Sequence, residues 1–164
     1  MGKKLTGTLL LFWMIIIFAF SAQPASQSSQ TSGTLAYKIA KWQSNLFRED
    51  KTEAELYDRA ESMQLVIRKS AHMAEYALLA LLLYLHLQYY PLSKKQMALL
   101  AFVITAGYAA TDELHQLFVP GRAGRLSDVC IDSLGGILGI SFCMILLYFL
   151  ERCKKRVNFQ KGKR

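Results

Sequence analysis

Ionisable side chains at helical spacing precede an apolar run in the stretch RKSAHMAEY, at residues 68–76. Arg68, His72 and Glu75 are separated by four and three residues, so they share one face of a helix. Histidine beside a carboxylate is suited to general acid–base catalysis, because its pKa lies near neutrality. Since charges are costly where a helix enters a membrane, this stretch indicates either a function or specific partner residues.

Two later stretches, TDELHQ and GRAGRLSDVCID, repeat this combination of acids, bases and apolar neighbours. Their ionisable and amide side chains are Asp112, Glu113, His115, Gln116, Arg122, Arg125, Asp128 and Asp132. Asp112 and Gln116 are one helical turn apart, and so are Asp128 and Asp132, whereas Glu113 is turned by about 100° from Asp112. Arginine and lysine in such a set can bind phosphate or carboxylate groups.

The elements that position these residues are membrane helices. With 52% hydrophobic residues and a mean hydropathy of +0.19, the chain is more apolar than a soluble domain. Its apolar stretches each approach the roughly 20 residues needed to cross a hydrocarbon core; they cover residues 5–20, 70–90, 96–119 and 129–150. We therefore predict an all-α integral membrane bundle of four transmembrane helices, forming a single domain over residues 1–164.

The first apolar stretch has two interpretations. Lys3 and Lys4 precede it, and Ala19 and Ser21 fit the small-residue pattern of a signal peptide cleaved after Ser21. An aromatic Trp13 within the stretch and the three later spans favour an uncleaved membrane helix.

The distribution of charge predicts the orientation. If the amino terminus is cytoplasmic, the inner segments hold 11 of the 20 basic residues and one of the 12 acids. This asymmetry follows the positive-inside rule, so we expect both termini in the cytoplasm, including a basic tail at residues 151–164. The chain has a net charge of +8, but its basic residues are divided among three inner segments, which excludes a nucleic-acid partner.

The polar segment at residues 21–67 is then extracytoplasmic, between helices 1 and 2. Leu35, Ile39, Trp42 and Leu46 recur in it at the spacing of an amphipathic helix. Such a helix either lies along the membrane interface or docks against the bundle. The following charged stretch, residues 48–63, is expected to be a solvated helix that leads into the second span.

With this topology, all three polar stretches meet at the outer end of the bundle, and we expect an outward-facing polar pocket there. A purely structural interpretation is also open, in which Arg68, Lys69, Arg122 and Arg125 pair with the acids to close the bundle. Gly135 and Gly139 form a GxxxG motif one turn below Asp132, which predicts close packing with a neighbouring helix.

The chain resembles the VanZ-like family of bacterial membrane proteins through RKSAHMAEYALLALLL and TDELHQLFVPGRAGRLSDVCIDSLGGILG. The elements basic-x-x-His-x-x-Glu-Tyr, Asp-Glu-x-x-Gln and Arg-x-Gly-x-x-x-Asp occur in order, within a resemblance that covers residues 10–150. It implies a multi-span protein of the cell envelope. The family's name comes from an accessory protein linked to low-level teicoplanin resistance, so an antibiotic-resistance role is an expectation too. The family's polar positions correspond to Lys69, His72, Glu75, Asp112, Glu113, Gln116, Arg122, Asp128 and Asp132.

Two main functions suit this set. In the first, the chain is an envelope enzyme in which His72, Glu75 and Asp112 are catalytic candidates. The substrate-binding candidates are then Lys69, Glu113, Gln116, Arg122, Asp128 and Asp132. No motif defines a reaction class or a cofactor, and we assign no metal ligands, although the acids would suit magnesium beside a phosphate.

In the second, the pocket binds without catalysis, and the ligand is a lipid headgroup, a lipid-linked molecule or an amphiphilic glycopeptide. Membrane lipids are partners in either case. A proton-linked transporter is a weaker alternative, because polarity confined to one end provides no continuous path across four short helices.

The predicted orientation can be measured by cysteine labelling. In a variant lacking the three native cysteines, Ala123→Cys should react with an impermeant maleimide added to intact cells, because residue 123 lies in the predicted outer loop. Lys95→Cys, in the predicted inner loop, is the control and should react only after lysis. The reverse result would place the polar pocket on the cytoplasmic side.

Overall fold

The computed structural model describes residues 2–161, with side chains described as far as Arg156. The described residues form five α-helices and no β-strand: α1 Lys3–Ser21, α2 Ala25–Phe47, α3 Glu53–Leu87, α4 Lys94–Gln116 and α5 Leu126–Lys161. By length and composition, α1, α3, α4 and α5 can each cross a membrane. The prediction of an all-α bundle with four membrane helices and a helix between the first two is confirmed.

The largest difference from the predicted boundaries is the length of α3. The solvated helix and the second span are one continuous helix of 35 residues. It begins at a capping box, in which the Thr52 side chain accepts a hydrogen bond from the Glu55 amide and the Glu55 carboxylate accepts one from the Thr52 amide. At 1.5 Å per residue α3 is roughly 52 Å long, which exceeds a hydrocarbon core of about 30 Å.

Two other boundaries also moved. α4 ends at Gln116, whereas the apolar run predicted a span as far as residue 119. α5 continues through Lys161, so most of the stretch predicted as a basic tail is helical, and residues 162–164 lie outside the described part. A drop in hydropathy shows where the chain becomes polar. The helix itself extends further, as α5 does, when no residue interrupts its backbone hydrogen bonds.

The helix α2 docks along the amino-terminal half of α3. Its buried face consists of small side chains at every fourth position, which are Ser32, Ala36, Ala40 and Ser44. Gln64 of α3 donates to the backbone oxygen of Ser29 over 2.7 Å, and Tyr37 stacks on Tyr57. Docking therefore occurs through a face that is turned by roughly 100° from the predicted one, and Leu35, Trp42 and Leu46 remain exposed.

Helix α3 is central in the bundle, and α5 packs on it through its glycines. A Cβ atom added to Gly135 would collide with the Met73 carbonyl oxygen, and one added to Gly139 with the Ala77 carbonyl oxygen. Gly136 faces α4 instead, because a Cβ atom added to it would lie 3.0 Å from the Thr105 methyl group. The predicted close packing at the GxxxG motif is confirmed, and its partner is α3.

The apolar core lies between the polar stretches and the opposite end of the bundle. It is built around Tyr76, Leu79, Leu83 and Tyr84 of α3, which are all buried, with residues of α1, α4 and α5 packed against them. At the far end, His86 Nδ1 lies 2.9 Å from the buried Thr6 Oγ1 and thus joins α3 to α1. His86 thus links two membrane helices at the end of the bundle away from the polar stretches.

The glycine contact predicts the effect of two matched substitutions. Gly139→Ala should lower the free energy of unfolding by about 1–3 kcal/mol, because the added methyl group meets the rigid backbone of α3. Gly107→Ala is the control, since nothing lies within 4 Å of its added Cβ, and it should stabilise α4 by up to about 1 kcal/mol. Both are measured as unfolding midpoints in detergent, and an unchanged midpoint for Gly139→Ala would contradict the close contact.

Candidate functional site

A cavity of about 150 Å³ lies where α3, the end of α4, the loop at residues 117–125 and the start of α5 meet. We call it the polar cavity. Its ionisable and amide lining residues are Arg68, Lys69, His72, Glu113, Gln116, Arg122, Arg125, Asp128 and Asp132. Residues from all three polar stretches of the sequence therefore surround one space, although they are up to 64 positions apart in the chain.

Seven of the nine predicted site residues line the polar cavity. Glu75 lies on the neighbouring surface described below. Asp112 lines neither space, because it is buried beside Ser21, Tyr76 and Gln116. Asp112 is thus positioned to support the wall of the cavity rather than to touch a ligand in it.

A second space of about 330 Å³ adjoins the polar cavity, between the end of α1, α2 and α3. Its surface is mostly apolar, with contributions from Phe20, Leu35, Ile67 and Ala71, and we call it the apolar groove. Three residues line both spaces: Arg68, His72 and Arg122. A ligand with a polar group and an apolar part can therefore contact these residues from both sides.

One ion pair joins α3 to α5 at the cavity. Lys69 Nζ lies 2.7 Å from Asp128 Oδ1, and about a third of each side chain is exposed. Among residues 2–156, the other three cations considered for closing the bundle, Arg68, Arg122 and Arg125, form no ion pair within 4.0 Å. The structural interpretation thus explains Lys69, which pairs with an acid, but it does not explain Arg68, Arg122 and Arg125.

His72 and Glu75 form the contact that is best suited to catalysis. His72 Nδ1 lies 3.3 Å from Glu75 Oε2, on successive turns of α3. The Glu75 backbone oxygen accepts a hydrogen bond of 2.9 Å from Trp13 Nε1, which fastens this turn to α1. Of the two carboxylates predicted to orient His72, Glu75 is the one in contact, so this pair is the candidate for proton transfer.

The loop at residues 117–125 is held on both sides. Arg122 Nε donates to the Gln23 backbone oxygen over 3.2 Å, and the Arg125 backbone amide donates to Glu113 Oε2 over 2.8 Å. Gly121 has a φ of 73°, a conformation that favours glycine. The loop is thereby tied to the α1–α2 connection and to α4, and Arg122 is fixed over the cavity.

Arg122 lies close to a second arginine. Burial, together with the nearby Arg68 guanidinium, lowers the pKa of Arg122 from its ordinary value. An arginine remains charged at neutral pH despite such a shift, so two positive charges face the same space. Asp112, Glu113 and Glu75 offset part of this repulsion from a distance.

Sequence reasoning missed two features of the site. It gave Arg68 only a structural role, although its spacing from His72 already placed both on one face. It also missed the apolar groove, because that surface depends on how α2 lies on α3. His115 contacts Phe18 in a tilted arrangement, with ring centroids 4.7 Å apart, and does not line the cavity. Among residues 2–156, no three His, Cys, Asp or Glu side chains are grouped to hold a metal ion.

The fold and the site define a multi-span helical membrane protein with a polar cavity at one end of its bundle. The chain belongs to the VanZ/LLP1 family, whose sequence model matches residues 7–148. No curated protein and no solved structure matches the chain. The matched range contains the whole polar cavity, α3 and α4, together with α1 from residue 7 and α5 as far as residue 148.

The Lys69–Asp128 pair can be tested by a double-mutant cycle. Lys69→Met and Asp128→Asn should each destabilise the bundle, and the double variant should lose less than the sum of the two. We expect a coupling of about 0.5–1 kcal/mol, because the pair is partly exposed. Unfolding midpoints in detergent measure it.

The matched control is the more exposed pair Lys94–Glu151, whose charged atoms lie 3.5 Å apart. The cycle of Lys94→Met and Glu151→Gln should give a coupling near zero. Strictly additive effects at Lys69 and Asp128 would mean that this ion pair does not stabilise the α3–α5 contact.

Proposed function

We propose that the polar end faces the outside of the cell membrane and binds an amphiphilic molecule of the cell envelope. The polar group of the ligand enters the polar cavity, and its apolar chain lies in the apolar groove. The supporting observation is that Arg68, His72 and Arg122 line both spaces. The excess of basic residues in the predicted inner segments supports the orientation.

The size of the polar cavity favours a lipid over a glycopeptide. A cavity of about 150 Å³ accommodates a group the size of benzene, which is close to the size of a lipid headgroup. A glycopeptide is several times larger, so it would have to lie above the opening and insert only its acyl chain. Any effect on teicoplanin would then arise through an altered envelope lipid or through capture of the drug's lipid tail.

Catalysis on the bound molecule is the second candidate function, and the His72–Glu75 contact favours it. His72 lies where the polar cavity meets the apolar groove, next to the bond that would join headgroup and chain. A histidine held by a carboxylate can accept a proton from an attacking hydroxyl or water and return it to the leaving group. The class of reaction is thus hydrolysis or group transfer on an envelope lipid.

One experiment separates binding from catalysis. The chain and its variants His72→Ala, Glu75→Gln, Asp112→Asn and Asp128→Asn are expressed at equal membrane levels. Envelope lipids and peptidoglycan precursors are compared by mass spectrometry, together with teicoplanin susceptibility. His86→Ala is the matched control, because this histidine lies at the opposite end of α3 and lines neither space of the site.

An enzyme should produce a changed lipid or precursor, and His72→Ala should abolish that change by a factor of about 10² or more. A binder should change susceptibility with no new product, and the variants should reduce that protection. Equal behaviour of the four site variants and the His86→Ala control in both measurements would contradict a functional site at the polar end.

A further inference from the structure

Two arginines in the site have no partner of opposite charge close to them. Arg68 is on α3, Arg122 is in the loop before α5, and both line the polar cavity and the apolar groove. Neither forms an ion pair within 4.0 Å in the part of the chain with described side chains. Arg122 uses its Nε for the Gln23 backbone oxygen, so its two terminal nitrogens remain available.

The nearby acids are already engaged or lie deeper. Asp128 pairs with Lys69, Glu113 accepts from the Arg125 amide, and Glu75 contacts His72. Asp112 and Asp132 are buried in the wall, with 6% and 4% of their surface exposed. Two guanidinium groups that face one space repel each other unless an anion lies between or beside them. None of these carboxylates forms a direct ion pair with Arg68 or Arg122, so an anion from outside the chain can bind both.

We propose that Arg68 and Arg122 bind the phosphate ester of the amphiphile, a ligand class that rests on the function proposed above. The phosphate lies at the junction of the two spaces, with the attached chain in the apolar groove. Arg68 and Arg122 approach it from α3 and from the loop, and His72 lies beside it.

A phosphate suits this junction better than a carboxylate does. Each guanidinium group presents parallel N–H donors that match two phosphate oxygens. A phosphate has enough free oxygens for two arginines at once, and a phosphate monoester carries nearly two negative charges at neutral pH. A carboxylate carries one charge and only two oxygens, so it would leave one arginine unneutralised.

The test measures lipid binding to the purified full-length chain in detergent by native mass spectrometry. Phosphatidic acid, phosphatidylglycerol and diacylglycerol with the same acyl chains are compared, and glycerol 3-phosphate is added as a competitor without chains. Each is titrated against the unmodified chain, Arg68→Gln, Arg122→Gln and the charge-retaining Arg68→Lys. Arg59→Gln is the matched control, because Arg59 pairs with Glu49 and lines neither space.

We expect phosphatidic acid, a phosphate monoester, to bind about tenfold or more tightly than diacylglycerol, because hydrogen bonds between charged groups are the strong ones. Phosphatidylglycerol, a diester with one negative charge, should bind with an affinity between these two. Arg68→Gln and Arg122→Gln should each remove that preference, Arg68→Lys should keep part of it, and Arg59→Gln should leave it unchanged. Unfolding midpoints verify that each variant is folded, and Arg68→Lys keeps the test informative if a glutamine variant unfolds.

Two results would overturn the proposal. Equal binding of phospholipids and diacylglycerol, unaffected by the arginine variants, would exclude the phosphate contact while leaving amphiphile binding intact. Failure of the folded chain to retain any of the three lipids would overturn both proposals. If glycerol 3-phosphate displaces the lipids at equal concentration, the arginines bind phosphate as proposed, but the acyl chain and the apolar groove contribute nothing.

Discussion

The close contact between the glycine face of α5 and the backbone of α3 fixes the geometry on which the polar end depends. Gly135 lies against Met73 and Gly139 against Ala77, so each turn of α5 has one set partner turn on α3. Nearer the polar end, about one turn along α3 and two turns along α5, Lys69 Nζ lies 2.7 Å from Asp128 Oδ1. A slip of one turn is about 5.4 Å, which is enough to separate the pair and open the cavity wall.

The polar cavity can exist at the end of a membrane bundle because three of the acids at the site have a direct partner. Burying a charge is costly unless hydrogen bonds or opposite charges compensate. Lys69, the Arg125 backbone amide and His72 each provide one such contact to a carboxylate, so three acids are compensated by groups from α3 and from the loop before α5. Arg68 and Arg122, which line both spaces without such a contact, stand out against this background.

The α2–α3 pair gives the site its apolar side. Small residues on α2 allow it to lie close to the amino-terminal half of α3, and this places Leu35 in the same groove as Arg68 and His72, with Phe20 of α1 completing the apolar side. α2 carries no ionisable group that lines the polar cavity, but it contributes to the wall of the apolar groove beside it. In the proposed function, the headgroup and the apolar chain of the ligand therefore contact different parts of the protein.

The sequence alone determined the class, the four membrane helices and the meeting of the three polar stretches at one end. Hydrophobic length and helical spacing act locally, so they can be read from Arg68, His72 and Glu75 without a structure. Only the tertiary structure decided that α3 is continuous, that α2 docks through Ala36 and Ala40, and that Arg68 and Arg122 share a space. These outcomes depend on the packing of side chains from distant segments, and no local pattern specifies which face of one helix meets another.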